Sequence, residues 1–305
     1  MGEYKYDVSI IVLSYNQEKF IYETLSSVEA QNFGSVQVIV GDDASTDSTP
    51  MIINDFADKS KFDFTLIFHE ENLGITKNLN KCLDCVDGKY IMTLGGDDLF
   101  VAGKVFEQFF HMEKTPECII SFHDTYVFRD NINNVLCNYS EMYPCVPLTL
   151  DSLIKYGTFF TGSSFCVRNF DGLPKCNQDI LHASDWLWYM EILMKSGGVI
   201  SRLPGVFAYY RRHENNITSF GNIDSACHDT IFTLNYIKAY YFNHTLVNNS
   251  LSERLFAFSL KYLISRNYRK CLDHFKKSLS YSIFGVCFFV RYRIGNIFIR
   301  FLGYK

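Results

Sequence analysis

The chain of 305 residues has only six prolines and no apolar run long enough to cross a membrane. The best candidate, SIFGVCFFV at 282–290, has about half of the ~20 residues that a spanning helix needs, so a spanning protein is excluded. The opening residues lack the basic stretch and the small-residue cleavage site of a signal peptide. No G-x-G-x-x-G follows the first apolar run, which disfavours a dinucleotide oxidoreductase.

The ten cysteines show no framework spacing, and we expect reduced thiols in a cytosolic protein. Cys82 and Cys85 form a C-x-x-C, which is compatible with redox or zinc chemistry or with two half-buried thiols on a helix. Because no second pair stands at zinc-like spacing, the helix interpretation is favoured.

Charge is distributed unevenly along the chain. Residues 251–305 contain 11 of the 29 Lys and Arg but only two of the 33 Asp and Glu. The chain is also rich in aromatic residues, with 28 Phe and 20 Tyr. A basic, aromatic C-terminal region beside an acidic body predicts contact with a negatively charged surface such as anionic lipid.

The first 130 residues alternate between strand and helix patterns. Four apolar runs predict strands at 8–15, 36–43, 64–69 and 89–94. Asn16 and Asp47 are predicted to cap the helices that follow the first two strands. Repeated β-α-β units predict a parallel sheet with right-handed crossovers, and such sheets bind ligands beyond the carboxyl ends of their strands.

Acidic residues stand where these strands end. Asp42 and Asp43 end the second strand, and Asp97 and Asp98 follow two glycines after the fourth. Adjacent carboxylates repel one another, and glycine costs backbone entropy. We therefore expect this edge of the sheet to bind a cation or a ligand rich in hydroxyl groups.

The ordered segments VSIIVLSYN, VIVGDDASTDST, NLGITKNLN, YIMTLGGDD and ASDWLWYMEILMKSGG resemble those of the family 2 glycosyltransferases, over about residues 7–215. The resemblance implies a GT-A fold, an α/β architecture with a mostly parallel, Rossmann-like sheet. It assigns 1–220 to a catalytic domain and leaves 221–305 as a helical, basic and aromatic extension. It also implies transfer of a sugar from a nucleoside-diphosphate donor, with UDP expected, with inversion and with help from Mn²⁺ or Mg²⁺.

The same resemblance suggests roles for residues near the donor. Tyr15 would stack on the base, Asp43 would accept a hydrogen bond from it, and Lys77 would lie near the nucleotide. Asp97 is assigned to the nucleotide sugar and Asp98 to the metal, which neutralises the leaving diphosphate. The glycines before this acid pair would leave room for the pyrophosphate, although one of them, Gly95, replaces the first acid of the fullest family motif.

Other residues are assigned to the acceptor side and to the end of the catalytic domain. Asp185 would be the general base, although Ser184 or Asp185 could simply cap the helix 185–196. His213 would bind metal or phosphate, with Arg211 and Arg212 as diphosphate partners, or these could be surface charges. The acceptor is expected to bind near 158–165 and the helix that carries Trp186 and Trp188.

Apolar residues at 294–301 share one face of a predicted helix, which is the pattern of a helix lying on a membrane, although packing on the catalytic domain is the alternative. The resemblance implies a glycan acceptor, lipid-linked if the tail meets the membrane, in surface polysaccharide synthesis. We expect a cytoplasmic enzyme, peripheral on the inner face of the plasma membrane, with no nucleic acid partner. The alternatives are a catalytically silent nucleotide-sugar-binding or scaffold protein, or a nucleotidyltransferase, which SYNQEKF disfavours because it has no glycine.

Overall fold

The computed structural model describes residues 4–142, 145–181, 183–213 and 223–290. These residues form two compact units, and the first contains the described residues up to 150 together with 158–213. The second contains 151–157 and 223–290. The segment 151–157, which the sequence assigned to the catalytic domain, therefore groups with the C-terminal helices. The predicted tail helix at 294–301 lies outside the described residues.

The first unit contains nine strands and five helices in its described part. The strands are β1 Tyr6–Ser14, β2 Val36–Asp42, β3 Asp63–Phe68, β4 Gly88–Gly95, β5 Leu99–Phe100, β6 Cys118–Arg129, β7 Asn131–Asn138, β8 Cys166–Arg168 and β9 Val199–Arg211. The helices are α1 Ile21–Glu29, α2 Thr49–Ala57, α3 Ile75–Leu83, α4 Lys104–Glu113 and α6 Ser184–Ser196. The helix between α4 and α6, α5 Leu150–Tyr156, falls almost entirely in the second unit.

All nine strands join one sheet in the order β3-β2-β1-β4-β8-β6-β9-β5, with β7 paired to β6. The first four strands of this order are mutually parallel, as the β-α-β pattern predicts. Strand β8 enters antiparallel to both β4 and β6, whereas β6 and β9 are parallel to each other. The sheet is therefore a mixed, mostly parallel α/β sheet whose parallel half carries the acidic strand ends.

The centre of the sheet is covered on both faces, which explains the continuous apolar runs of its strands. Every residue of β2 is buried, and so are five consecutive residues of β1. Helix α1 packs a stripe at helical spacing, Ile21, Leu25 and Val28, into the same core. Truncation of Leu25 to Ala would cost about 2–5 kcal/mol through lost burial and the cavity left behind.

The two predicted helix caps are placed differently from expectation. Helix α1 begins after Phe20, without a side-chain cap, so the prediction for Asn16 was wrong. Asn16 has φ 52° and its Oδ1 accepts from the Thr46 N–H at 2.9 Å, which ties the β1 loop to the β2 loop. The N-cap residue of helix α2 is Ser48, so Asp47 lies one residue before the cap position. Asp47 Oδ1 still accepts from the N–H of Thr49, the first residue of the helix.

The second unit is helical, as predicted. Besides α5 it contains α7 Ile223–Tyr240, α8 His244–Ile264, α9 Tyr268–Tyr281 and α10 Ile283–Phe288. Asn243 and Asn267 cap α8 and α9, each accepting from a backbone N–H of the first turn. Within the described ranges, no helix combines the length and the apolarity that crossing a bilayer requires.

Candidate active site

The register of the parallel strands brings three strand ends to one edge. Ser14 at the end of β1 stands opposite Asp42 at the end of β2, and Leu13 stands opposite Gly95 of β4. The backbone continues this pairing beyond the strands, because Asp43 N donates to Ser14 O and Gly96 N donates to Leu13 O. The convergence predicted from the sequence is therefore present at the residue level.

The first acid pair is hydrogen-bonded within the protein. Asp42 Oδ1 accepts from the Ser14 and Ser45 hydroxyls at 2.8 and 2.6 Å, and its Oδ2 accepts from Ser45 N at 2.9 Å. Asp43 accepts from Leu73 N at 2.7 Å and from Gly74 N at 2.9 Å. Both carboxylates are buried and hold the loops around the ends of β1 and β3, with Asp43 positioned at the start of α3.

The second acid pair occupies the turn between β4 and β5. Asp98 is 5% exposed, and its Oδ1 accepts from Arg211 N at 3.0 Å. Burial and the neighbouring Asp97 carboxylate raise the pKa of Asp98 well above its usual value, although hydrogen bonds from Arg211 N and the Ser163 hydroxyl oppose this. A carboxylate that is buried beside a like charge is poised to gain from a cation.

The glycines before this pair have a steric explanation within the protein. A Cβ on Gly95 would lie 2.8 Å from Asp97 Oδ1, and one on Gly96 would lie 3.0 Å from the Leu13 carbonyl oxygen. A larger residue at Gly95 would therefore displace the Asp97 carboxylate. The protein itself therefore requires glycine at this position, whether or not a pyrophosphate is bound.

Arg211 forms the centre of the acidic turn. Its Nε donates to the Asp97 carbonyl at 2.8 Å, and its two terminal nitrogens donate to the Asp130 carbonyl at 3.0 Å and to Glu23 Oε2 at 2.5 Å. The guanidinium also lies between the Phe20 and Phe128 rings. With every guanidinium nitrogen engaged and the residue 2% exposed, the geometry favours a structural role for Arg211 over the predicted diphosphate contact.

His213 stands beside the same turn. Its Nε2 lies 2.8 Å from Asp97 Oδ2, and its ring packs on Phe20 with 5.1 Å between centroids. Sequence analysis predicted a common site for Asp97, Asp98 and His213, and hydrogen bonds connect the two acids to Arg211 and one of them to His213. Across the described ranges, no three His, Cys, Asp or Glu side chains converge as a ready-made metal cage.

The donor set nevertheless fits a divalent ion bound together with a nucleotide. Mg²⁺ and Mn²⁺ prefer oxygen ligands, and with nucleotides they are usually held by one or two carboxylates plus phosphate oxygens. Asp97 and Asp98 supply such oxygens from adjacent positions, and burial together with the Asp97 charge raises the pKa of Asp98, which a bound cation would counteract. Asp98 would hold the ion, and Asp97 would lie beside it toward the nucleotide sugar.

Three other predicted nucleotide contacts lie nearer to solvent. Tyr15 follows β1 and is 46% exposed, so its ring is accessible for stacking. Lys77 is exposed on the first turn of α3, beside the loop that Asp43 holds. Arg212 donates its backbone N–H to Phe128 and its guanidinium lies over the Tyr210 ring.

Asp185 occupies the start of α6. Burial raises its pKa to about 6, against the lowering by the Trp186 N–H bond at 2.9 Å. The N-cap position of α6 is Ala183, with no side-chain cap, and Ser184 instead pairs with Thr76 Oγ1 at 2.9 Å. The capping alternative is therefore wrong for Ser184. The Thr76 contact ties the start of α6 to the start of α3, next to the loop held by Asp43.

The predicted acceptor segment 158–165 packs into the interior. The Phe160 and Phe165 rings contact Tyr189, and Phe165 also contacts Trp188. Trp188 is buried and its indole N–H donates to the Pro174 carbonyl at 2.5 Å. These aromatic residues form a core cluster, and the acceptor region near 158–165 stays a prediction.

Sequence reasoning missed three residues that shape the acidic turn. Ser163 bonds to Asp98, Glu23 pairs with Arg211, and Phe20 contacts both Arg211 and His213. Phe20 and Glu23 were within a predicted helix region, where they resemble ordinary amphipathic positions. No local signal identifies them, because their partners lie almost two hundred residues away along the chain.

Comparison with known proteins places the chain in a family. The family model described as "Glycosyl transferase family 2" matches residues 9–174. The chain belongs to glycosyltransferase family 2.

Individual relatives agree with this assignment. An uncharacterized protein of Mycobacterium tuberculosis is 32% identical over 218 residues, which are 69% of this chain and 60% of that protein. The chain thus spans less than two thirds of the length of the first curated relatives. The Escherichia coli UDP-Glc:alpha-D-GlcNAc-diphosphoundecaprenol beta-1,3-glucosyltransferase WfaP is 28% identical over 214 residues, 70% of this chain and 80% of WfaP.

A solved structure shows the fold. The mannosyltransferase PcManGT from Pyrobaculum calidifontis, in complex with GDP-Man and Mn²⁺, has a TM-score of 0.58 and 16% identity, covering 93% of this chain and 88% of that chain. The likeness confirms the predicted GT-A fold.

Proposed function

We propose that this protein transfers a sugar, with inversion, from a nucleoside-diphosphate donor to a glycan acceptor with the help of Mn²⁺ or Mg²⁺. The observation that carries the proposal is the acidic turn, where the buried Asp98 and the partly exposed Asp97 lie side by side and are braced by Arg211. A UDP-linked donor is favoured because the relative WfaP is named for UDP-Glc.

The donor end of the site is built on β1, β2 and α3. The exposed Tyr15 ring stacks on the base of the nucleotide. Asp43 accepts a hydrogen bond from the same base, because its carboxylate has free lone pairs besides the two that accept from Leu73 N and Gly74 N. Lys77 and Arg212 supply positive charge toward the diphosphate. Asp97 faces the nucleotide sugar and keeps His213 at hydrogen-bond distance.

The metal would be held by Asp98, with His213 as a further ligand beside Asp97. When bound, a divalent ion supplies Lewis-acid stabilisation of the negative charge that develops on the leaving diphosphate. The Arg211 N–H and the Ser163 hydroxyl fix the Asp98 carboxylate. Arg211 therefore acts by positioning the acid turn and not by touching the substrate.

Asp185 is proposed as the general base. The acceptor oxygen attacks the anomeric carbon, the bond from that carbon to the diphosphate oxygen breaks, and the acceptor proton moves to Asp185. The electron pair of the broken bond leaves with the nucleoside diphosphate. A pKa of about 6 keeps the carboxylate ionised at neutral pH and still makes it a better proton acceptor than an ordinary aspartate.

The acceptor is proposed to be a lipid-linked glycan in surface polysaccharide assembly, presented at the cytoplasmic face of the plasma membrane. WfaP is named for a diphosphoundecaprenol-linked acceptor, and the C-terminal region of this chain is basic. These observations support peripheral contact with anionic lipid.

A panel of nucleotide sugars, each tested with and without Mn²⁺, would test the proposal by thermal unfolding and product analysis. Ligand that binds only the folded state raises the melting temperature. We expect metal-dependent protection by one donor class and transfer of its sugar. Metal-independent binding of UDP without product would instead identify a silent binding protein.

A further inference from the structure

The second unit exposes much large apolar surface in its described part. Eleven of its large apolar side chains are exposed: Tyr240, Phe242, Leu263, Ile264, Tyr268, Leu272, Phe275, Leu279, Ile283, Phe284 and Val290. Where exposed apolar side chains of this kind form a contiguous surface, they mark an interaction site in soluble proteins.

Four of these side chains form a stripe on α9. Tyr268, Leu272, Phe275 and Leu279 recur at spacings of four, three and four residues, so they share one face of the helix. Leu272 is 56% exposed. The stripe runs the length of a 14-residue helix, which is about 20 Å.

The packing of α9 explains why this stripe is left uncovered. The helix turns His274 toward Tyr262 of α8, with ring centroids 4.9 Å apart, and buries Ser278. Phe275 contacts Phe256 at its edge yet remains exposed. The packed face therefore adjoins the stripe, and Phe275 lies at the border between the two.

The apolar surface continues beyond the end of α9. Ile283 and Phe284 open α10 and project into solvent, with Phe284 82% exposed. Ser282 caps α10 through Gly285 N and also binds Asn249 of α8, which fixes the direction of this turn. We define Tyr268, Leu272, Phe275, Leu279, Ile283 and Phe284 together as the α9–α10 stripe.

Cations border the stripe. Arg269 and Lys276 are exposed on α9, next to stripe residues along the helix, and Lys277 is exposed one position further. Helix α9 carries four Lys and Arg against a single acid, Asp273. An apolar face bordered by cations is the pattern of a helix that lies in the headgroup region of an anionic bilayer.

The charges argue against two other occupants. Residues 291–305 contain four Lys and Arg and no acid, so their sequence is electrostatically mismatched to a face that cations already border. A second copy of the same face would bring like charges together in the same way. Anionic lipid combines an acyl phase for the stripe with negative charge for its border.

We propose that the α9–α10 stripe is the surface through which this protein docks on anionic bilayers. The inference rests on the proposed function, because an enzyme that modifies a lipid-linked acceptor must work at a bilayer. Phe275 and Leu272 enter the boundary between headgroups and acyl chains, and Arg269 and Lys276 remain at phosphate depth.

Vesicle co-sedimentation of the full chain tests this docking surface. The probe is phosphatidylcholine vesicles with and without phosphatidylglycerol. The double variant Leu272→Ser/Phe275→Ser should bind the anionic vesicles about a hundredfold or more weakly, since it removes two apolar side chains that would be buried among the lipids. The matched control, Phe106→Ser/Phe110→Ser, removes two exposed aromatics from α4 and should bind as the wild type does.

A charge variant distinguishes binding to anionic lipid from non-specific hydrophobic adsorption. Arg269→Gln/Lys276→Gln should weaken binding only to the vesicles with phosphatidylglycerol, by about fivefold per charge, and added salt should reduce the difference. Lys59→Gln/Lys81→Gln removes two exposed lysines of the catalytic unit and serves as the matched control. Circular dichroism and thermal unfolding check that each variant is folded.

Three outcomes would overturn the inference. The first is that the wild-type chain binds neither kind of vesicle, and the second is that the stripe variant binds as well as the wild type does. The third is a concentration-dependent dimer that the stripe variant abolishes, which would identify a second copy as the occupant. Nucleotide-sugar binding is measured on the same samples. If the wild type does not bind any nucleotide sugar, this result counts against the proposed function and not against the docking surface.

Discussion

The same tripeptide, Gly-Asp-Asp, ends two strands of the sheet and serves two purposes. At 41–43 the acids accept from hydroxyls and backbone N–H groups of their own loop, of the end of β1 and of the loop after β3. At 96–98 Asp98 is buried beside the partly exposed Asp97, and burial and the Asp97 charge raise the pKa of Asp98. Identical local sequence thus gives a scaffold in one place and an electrostatically unsatisfied site in the other.

The reason for the difference lies in the neighbouring strands. The first pair faces the loops after β1 and β3, which offer short hydrogen-bond donors. The second pair is turned by β5 against β9, where Leu99 pairs with Tyr209 and places Asp98 against Arg211. Asp98 accepts there from the Arg211 N–H and the Ser163 hydroxyl but also faces the like charge of Asp97, which a bound cation would offset.

The largest expected effect comes from Asp98→Asn. Asp98 is proposed to hold the metal ion that neutralises the leaving diphosphate. Loss of this ion should lower kcat/KM by about 10³-fold or more, because the metal contributes several kcal/mol of transition-state stabilisation. Without added metal, the variant should be as stable as the wild type or more stable, since a buried like charge is removed. A sugar-transfer assay measures the change in kcat/KM, and urea unfolding measures the change in stability. Undiminished transfer would refute the site.

Asp185→Asn extends the comparison to a carboxylate that burial alone perturbs. We expect kcat to fall by about 10²–10⁴-fold, as for loss of a general base. The base acts when ionised, so kcat/KM of the wild type should fall below pH of about 6, tenfold per pH unit, and stay level above it. A variant that keeps this pH profile would exclude Asp185 as its origin.

Arg211→Lys separates the brace from the predicted diphosphate contact. A lysine cannot replace three directed hydrogen bonds, so the free energy of unfolding should fall by about 3 kcal/mol. A direct diphosphate contact would give the opposite pattern, with unchanged stability and a raised KM for the donor. Denaturant unfolding and donor titration of the same sample decide between the two.

Asp42→Asn is the matched partner of Asp98→Asn. The new amide would face Ser45 N–H with a donor where an acceptor stands now, so stability should fall by about 1–3 kcal/mol. Transfer by the folded fraction should change much less than in Asp98→Asn. Equal effects of the two substitutions on stability would show that the two acid pairs are not distinct.

The smallest effect is expected for Lys77→Ala. An exposed lysine near a diphosphate contributes about 1 kcal/mol, so the KM for the donor should rise about fivefold, and less at high salt. Lys81→Ala, on the same helix and also exposed, is the control. A change of equal size in the control would assign the effect to net charge.

Local pattern was sufficient for the parallel half of the sheet and for the positions of its acids. Strands buried on both faces appear as continuous apolar runs, and parallel strands must end at a common edge. The pattern did not show that Phe160, Phe165 and Trp188 pack in the interior, because burial and exposure of Phe and Trp look alike in sequence. It also failed for Asn16, whose amide bonds to a neighbouring loop and not to its own helix.

The sequence by itself determined the α/β order, the family and the acidic strand ends, since these depend on short-range periodicity and contiguous motifs. Tertiary structure alone decided which Gly-Asp-Asp is satisfied, that Arg211 is a brace, and that Asp185 has a raised pKa. Each of these depends on donors, charges and excluded water brought from distant parts of the chain, which local sequence does not encode.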